Sequence, residues 1–170
     1  MTRADIRSSL DNRMALLCTL VGETLGEPIE GAIGVASVIR TRAIDARWPD
    51  TIKDVCLQYV IRQGREIGQF SCWFENNANS QRVYALAEAM LTGKGLGFST
   101  EFLGSVEKDS GAAIIELAWV ADGIIAGALR DNTRGSNHYL TRWLFDKQTV
   151  DWAKNRQPRV ELGRHVFLKL

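Results

Sequence analysis

Apolar residues recur at helical spacing at Leu10, Met14, Leu17, Val21 and Leu25, and Ser8 with Asp11 three positions later makes a capping pair. The pattern predicts a first helix from about Leu10 to about Leu25. Gly26 ends it, and Pro28 excludes Glu27 from the helical region while suiting the first turn of a second helix, "PIEGAIGVASVIRTRAIDA". Ile29, Ile33, Ala36 and Ile39 form the buried face of that helix, and Gly31 and Gly34 predict close approach of another backbone. "WPDTIKDVCLQYV" predicts a turn, a cap at Asp50 or Thr51 and a short third helix, and "RQGREIGQFSCWFENN" a loop or small hairpin.

"SQRVYALAEAML" and "GAAIIELAWVADGIIAGAL" predict two alanine-rich helices joined by the glycine-rich connector "TGKGLGFSTEFLGS". The second is the most hydrophobic and is expected at the centre of the fold. Beyond it, "RDNTRGSNHYLTRW" is irregular, and the alternation in "RVELGRHVFLKL" predicts one strand. The fold class expected is mainly α, an α+β helical domain with a small β element. One domain is expected across residues 1–170, and a second is not.

Composition narrows the function classes. The 170 residues are 45% hydrophobic, and 21 basic against 20 acidic residues leave a net charge of +1. That balance gives no electrostatic reason to expect nucleic acid or an anionic membrane as partner, and a monomer is expected. "MALLCTLV" is far too short to span a bilayer, and "TRADIRSSLDNR" lacks the form of a secretory signal. The chain is therefore expected to remain in the cytoplasm of the producing cell until something else releases it. Cys18, Cys56 and Cys72 make no disulfide framework, and two histidines outside any HExxH arrangement suggest neither metal nor cofactor.

Three stretches carry candidate chemistry, all at loops or helix ends, where sites tend to lie. In "VGETLGEP", Glu23 follows Leu20 by three and Leu16 by seven positions, on the apolar shoulder of its helix. Partial desolvation there raises a carboxyl pKa, as a general acid requires. Periodicity alone favours the simpler reading, an ordinary solvated glutamate near a helix end. Glu27, at the helix junction, suits orientation of the turn. In "GQFSCWF", Gln69, Phe70, Ser71 and Trp73 combine hydroxyl-binding groups with aromatic rings, as sugar clefts do, although such rings also plug cores. "SNHYL" supplies His138 and Tyr139. Cys72 with His138 makes an amidase or peptidase pair conceivable, without local support. "GKGLG" lacks the residues of a phosphate loop. His165 in "GRHVFLK" reads as structural.

In this order, "GETLGEPIEGAIGVASVIRTRA", "WPDTI", "GQFSCW", "DNTRGSNHY" and "LGRHVF" resemble the cell-wall hydrolase family typified by the spore-cortex-lytic enzyme SleB, over about residues 16–168. The resemblance implies a lysozyme-like, helix-dominated fold acting on peptidoglycan glycan strands in the manner of a lytic transglycosylase. It places the catalytic glutamate on Glu23, and cleft residues on Gln69, Phe70, Ser71, His138 and Tyr139. Such domains occur in spore germination enzymes and in bacteriophage endolysins, and the absence of an export signal favours the second. A hydrolytic muramidase and a catalytically silent wall-binding module remain alternatives. Thr24 and Leu25 replace small residues of the family pattern, and Thr41 an asparagine. The segment 79–117 is longer than in many relatives and is expected to reshape one cleft wall.

Overall fold

A computed structural model describes residues 1–93 and 108–170. Helix α2 (Asn12–Thr24) is the axis of the molecule. Every residue from Ala15 to Val21 is at most 1% exposed, so this helix is buried all round, against α3 (Ile29–Ala43), α4 (Ile52–Cys56), α5 (Ala78–Leu91) and α6 (Lys108–Ile125). The centre is thus α2, not α6 as its hydrophobicity suggested. Helix α6 packs on α2 and α3 with Leu117, Val120, Ala121 and Ile124, and turns Trp119 outward.

The amino end departs from expectation in a local way. A separate helix α1 (Arg3–Ser9) is fixed by a capping box between Thr2 and Asp5, and Asp11 itself caps α2 by accepting from the Met14 amide. Asp11 is therefore the cap of a later-starting helix, and Ser8 bonds back to the Asp5 carbonyl inside α1. Gly26 has φ of +80° in the turn between α2 and α3, a conformation that favours glycine, and Pro28 sits at the N-cap of α3. Thr51 caps α4.

The "LQYV" tail of the predicted third helix is instead the start of a hairpin, β1 (Tyr59–Arg62) against β2 (Arg65–Gly68). A 3₁₀ turn, Ser71–Trp73, then carries the chain into the core. The single strand expected at the carboxyl end is two. Strands β4 (Val160–Leu162) and β5 (His165–Leu168) form a hairpin through Gly163, at φ of +58°, and β5 pairs on its other edge with β3 (His138–Thr141). Alternation is the same in one strand or two, and the sharp turn at Gly163–Arg164 was the overlooked signal. Helix α7 (Arg142–Asp146) follows β3 directly.

The close approach expected at α3 is made by a side chain. A Cβ on Gly34 would lie 2.6 Å from the Phe167 ring, so α3 and β5 are held together by a ring seated on a glycine. At Gly31 a strand backbone, the Leu162 carbonyl, lies at an ordinary 3.6 Å. Gly22 does the same for the cleft: its missing Cβ would meet Cys72 Cβ at 2.5 Å, which brings the 3₁₀ turn against the last turn of α2. Most of the glycine-rich connector lies outside the described residues. No described helix is long and apolar enough to cross a membrane.

Candidate active site

Glu23 occupies the last turn of α2, where the helix end carries partial negative charge. Burial raises its carboxyl above the ordinary carboxylate range; against that, the Tyr139 hydroxyl donates to Oε2 at 3.2 Å, and the thiol and backbone amide of Cys72 face the carboxylate. Desolvation wins over these bonds, so the carboxyl holds its proton to higher pH than a solvated glutamate. No cation pairs with it among the described residues.

Two limbs of one cleft meet at Glu23. The first, about 440 Å³, is lined by Arg42, Trp48, Gln69, His138, Tyr139 and Trp152 among others. The second, about 610 Å³, is lined by Glu27, Arg142, Trp143, Gly163, Arg164 and His165. Glu23, Thr141 and His165 belong to both. Strand β3 explains the convergence: its pairing with β5 sets Tyr139 opposite Phe167 and Thr141 opposite His165, and the Tyr139 and His165 rings meet edge to face at 5.2 Å.

The first limb is aromatic. His138 lies between Trp48 and Trp152, with ring centroids at 5.6 and 5.0 Å. Its imidazole is pushed down to about 4, by burial first and then by Arg42, Arg47, Arg156 and Lys169, so it is neutral at ordinary pH. Its Nδ1 lies 2.9 Å from the Asn137 side-chain oxygen; in the tautomer that donates this bond, Nε2 is an acceptor. Arg42 is 5% exposed, donates to the Asn137 carbonyl at 2.7 Å and lies over the Trp48 ring at 4.2 Å. Burial pulls its pKa down to about 10, and no carboxylate among the described residues pairs with it.

Glu27 is occupied. Its side chain is 3% exposed, one oxygen accepts from the Arg164 backbone amide at 3.0 Å and the other from the Arg164 guanidinium. It clamps the β4–β5 turn to the α2–α3 junction. This is the turn-orienting role that its place at the helix junction suggested; as a substrate-binding residue, the other role expected of it, Glu27 has little left to offer, although it borders the second limb.

Gln69, Phe70, His138 and Tyr139 meet in the first limb as the sequence proposed. Ser71 does not line either limb; it opens the 3₁₀ turn and is exposed. Trp73 is a correction: it is fully buried, donates from Nε1 to Thr19 Oγ1 at 2.9 Å and packs edge to face on Tyr84. It is a core plug because its indole found a buried partner. The Cys72–His138 pair is not formed. Cys72 is 1% exposed, its thiol is pushed up by burial and by Glu23, and His138 bonds to Asn137. No cluster suited to a metal occurs among the described residues. Neither α5 nor the described part of α6 lines either limb, so the expected reshaping of a cleft wall finds no support there.

The sequence reading missed Arg42, Trp48, Trp143 and Trp152, and took His165 as merely structural. His165 is buried on β5 yet borders both limbs, with its Nδ1 unpartnered. The usable signal lay in the tryptophans of otherwise polar stretches, since such rings are out of place unless they pack or bind.

Comparison with known proteins is consistent with this geometry. The profile described as Cell Wall Hydrolase matches residues 26–168. The span takes in Glu27, the Gln69–Trp73 turn and the His138–Tyr139 strand, and begins three residues after Glu23. Among solved structures, the catalytic domain of the Bacillus cereus SleB protein is similar at a TM-score of 0.52 and 20% identity, covering 93% of this chain and 90% of that one. The catalytic domain of the germination-specific lytic transglycosylase SleB from Bacillus anthracis is similar at 0.51 and 22%, covering 94% and 96%. These likenesses show the α+β fold. No curated protein matches the sequence.

Proposed function

Because the chain belongs to the cell wall hydrolase family, we propose that it cuts the glycan strands of peptidoglycan as a lytic transglycosylase, with Glu23 as the single acid and base. The observation that carries this reading is the state of the cleft's carboxylates. Among the described residues Glu23 and Glu27 are the carboxylates lining the two limbs; Glu27 is consumed by Arg164, and Glu75, near enough to help raise the Glu23 pKa, lines neither limb. A glycosidase that uses two carboxylates needs a second free one, as nucleophile or as base for water. One suffices when the sugar's own 6-hydroxyl captures the oxocarbenium-like carbon.

In its protonated form, which burial favours, Glu23 gives its proton to the oxygen between N-acetylmuramic acid and N-acetylglucosamine. The bond from that oxygen to the muramyl anomeric carbon breaks, and the N-acetylglucosamine side leaves as an alcohol. The Glu23 carboxylate then takes the proton of the muramyl 6-hydroxyl as its oxygen bonds to the anomeric carbon, closing a 1,6-anhydro ring. The Tyr139 hydroxyl stabilises the carboxylate between these steps. The two limbs meeting at Glu23 hold sugars on either side of the cleaved bond, with Trp48, Trp152 and Trp143 as stacking surfaces and Gln69 and neutral His138 as hydroxyl partners. Lysis of purified peptidoglycan by the wild-type chain and by Glu23→Gln tests the assignment: the variant is expected to be inactive while folded. A muramidase using water predicts reducing ends in place of anhydro ends.

A further inference from the structure

A second pocket of about 460 Å³ lies on another face of α3, away from the cleft; Ser37, Arg40, Ile44, Arg130, Asp131 and Lys169 line it. Ser37, Thr41 and Ile44 recur at four- and three-residue steps, whereas Arg42, which borders the catalytic cleft, is turned to a different side of the helix. Three cations therefore surround this pocket. Among the described residues none of them forms an ion pair, and Arg40 reaches only the Leu129 carbonyl, at 3.5 Å.

The nearby acids are already engaged. Asp131 accepts from the Thr133 amide at 2.7 Å and from the Thr133 hydroxyl and the Gly135 amide, both at 2.5 Å. Asp45, close enough to Lys169 to feel its charge, is held by Arg47 at 2.6 Å. Among the lining residues Ser37 is 2% exposed, and its hydroxyl is buried with no hydrogen-bond partner. A buried hydroxyl without a partner is unfavourable, and a bound oxyanion would satisfy it.

We propose that this pocket binds a phosphate group of a phosphodiester wall polymer, holding the enzyme on its substrate while the cleft works. A phosphodiester offers acceptor oxygens to two arginines, a lysine and a serine at once, and arginine's planar fork fits them in pairs. A carboxylate also has two charged oxygens, but both accept in one plane, whereas the two non-bridging oxygens of a phosphodiester sit on a tetrahedral centre and can take donors from several directions. The pocket also holds far more than one phosphate, and Ile44 and Leu129 provide apolar contact for the carbon atoms between successive groups. The proposal uses the family's cell-wall setting and does not depend on Glu23 as the acid.

The test is binding of the full chain to poly(glycerol phosphate) by calorimetry at several salt concentrations. Arg130 and Lys169 are exposed, so Arg130→Ala with Lys169→Ala leaves the fold intact. The expected result is salt-sensitive binding that falls at least about tenfold in this double variant and is reduced in Ser37→Ala. Cleavage of short soluble glycan fragments stays unchanged in Arg130→Ala and in Ser37→Ala. Glu23→Gln binds the polymer like the wild type, which separates this proposal from the catalytic one. Undiminished binding by the double variant would overturn it. So would equal, variant-dependent binding to phosphatidylglycerol vesicles, which points to a lipid surface, or binding of inorganic phosphate alone.

Discussion

The end of α2 and the junction four residues beyond it each present a glutamate, and the two have opposite fates. Glu23 faces a cleft, accepts from a tyrosine hydroxyl and pairs with no cation among the described residues, and burial raises its pKa. Glu27 is more deeply enclosed, yet both its oxygens are satisfied by Arg164. Burial with a partner makes a structural clamp, and burial without one makes a reactive acid. The partner comes from the β4–β5 turn, more than a hundred positions away, where Gly163 leaves room: a Cβ there would lie 2.7 Å from Glu27 Oε2.

The contrast is broken most strongly at Glu23. Glu23→Gln is expected to lower wall cleavage by about 10²–10⁴-fold and to keep or raise stability by about 0.5–2 kcal/mol, as removal of a strained functional charge does. The sign follows from the raised pKa: the folded wild type holds a proton that the unfolded chain has released, so it loses stability as pH rises above the ordinary glutamate range, and the glutamine variant escapes that loss. Thermal denaturation against pH beside a lysis assay measures both.

At Glu27 the expected effect is on folding. Glu27→Ala strands the Arg164 amide and is expected to destabilise by about 1–3 kcal/mol, with cleavage at low temperature largely retained. A Glu27→Ala chain that is stable but inactive would reverse the two assignments. Tyr139→Phe removes a bond to the charged form of Glu23, and a loss of about tenfold in kcat is expected. Because that bond lowers the Glu23 pKa, the alkaline arm of the pH–rate profile moves to higher pH in the variant. The smallest effect on cleavage is expected at His138, where the change is in the pH dependence of stability. With a folded pKa of about 4 against 6.5 unfolded, it contributes stability present above pH 6.5 and lost as pH falls toward 4. His138→Gln flattens that part of the stability curve.

Local chemistry was legible in the sequence. The helix break at Gly26–Pro28, the cap at Thr51 and the helical character of residues 78–91 follow from neighbours within a few positions. The grouping of Gln69, Phe70, His138 and Tyr139 came from motif order, since nothing local shows that they meet. What stayed hidden depends on long-range packing. Trp73 looked like a sugar platform until Thr19, from another element, claimed its indole. Trp48 and Trp152 become walls of one limb only because His138 stands between them. Hydrophobicity put α6 at the centre, but the number of faces covered decides that place, and α2 is covered on all of them.

The most direct test of the central claim is the mass spectrum of fragments released from purified peptidoglycan by the wild-type chain and by Glu23→Gln. Glycan fragments ending in 1,6-anhydro-N-acetylmuramic acid from the wild type, and none from the variant, are predicted. Reducing muramyl ends, free stem peptides, or anhydro fragments persisting in the variant would contradict Glu23 as the single acid and base of a transglycosylase.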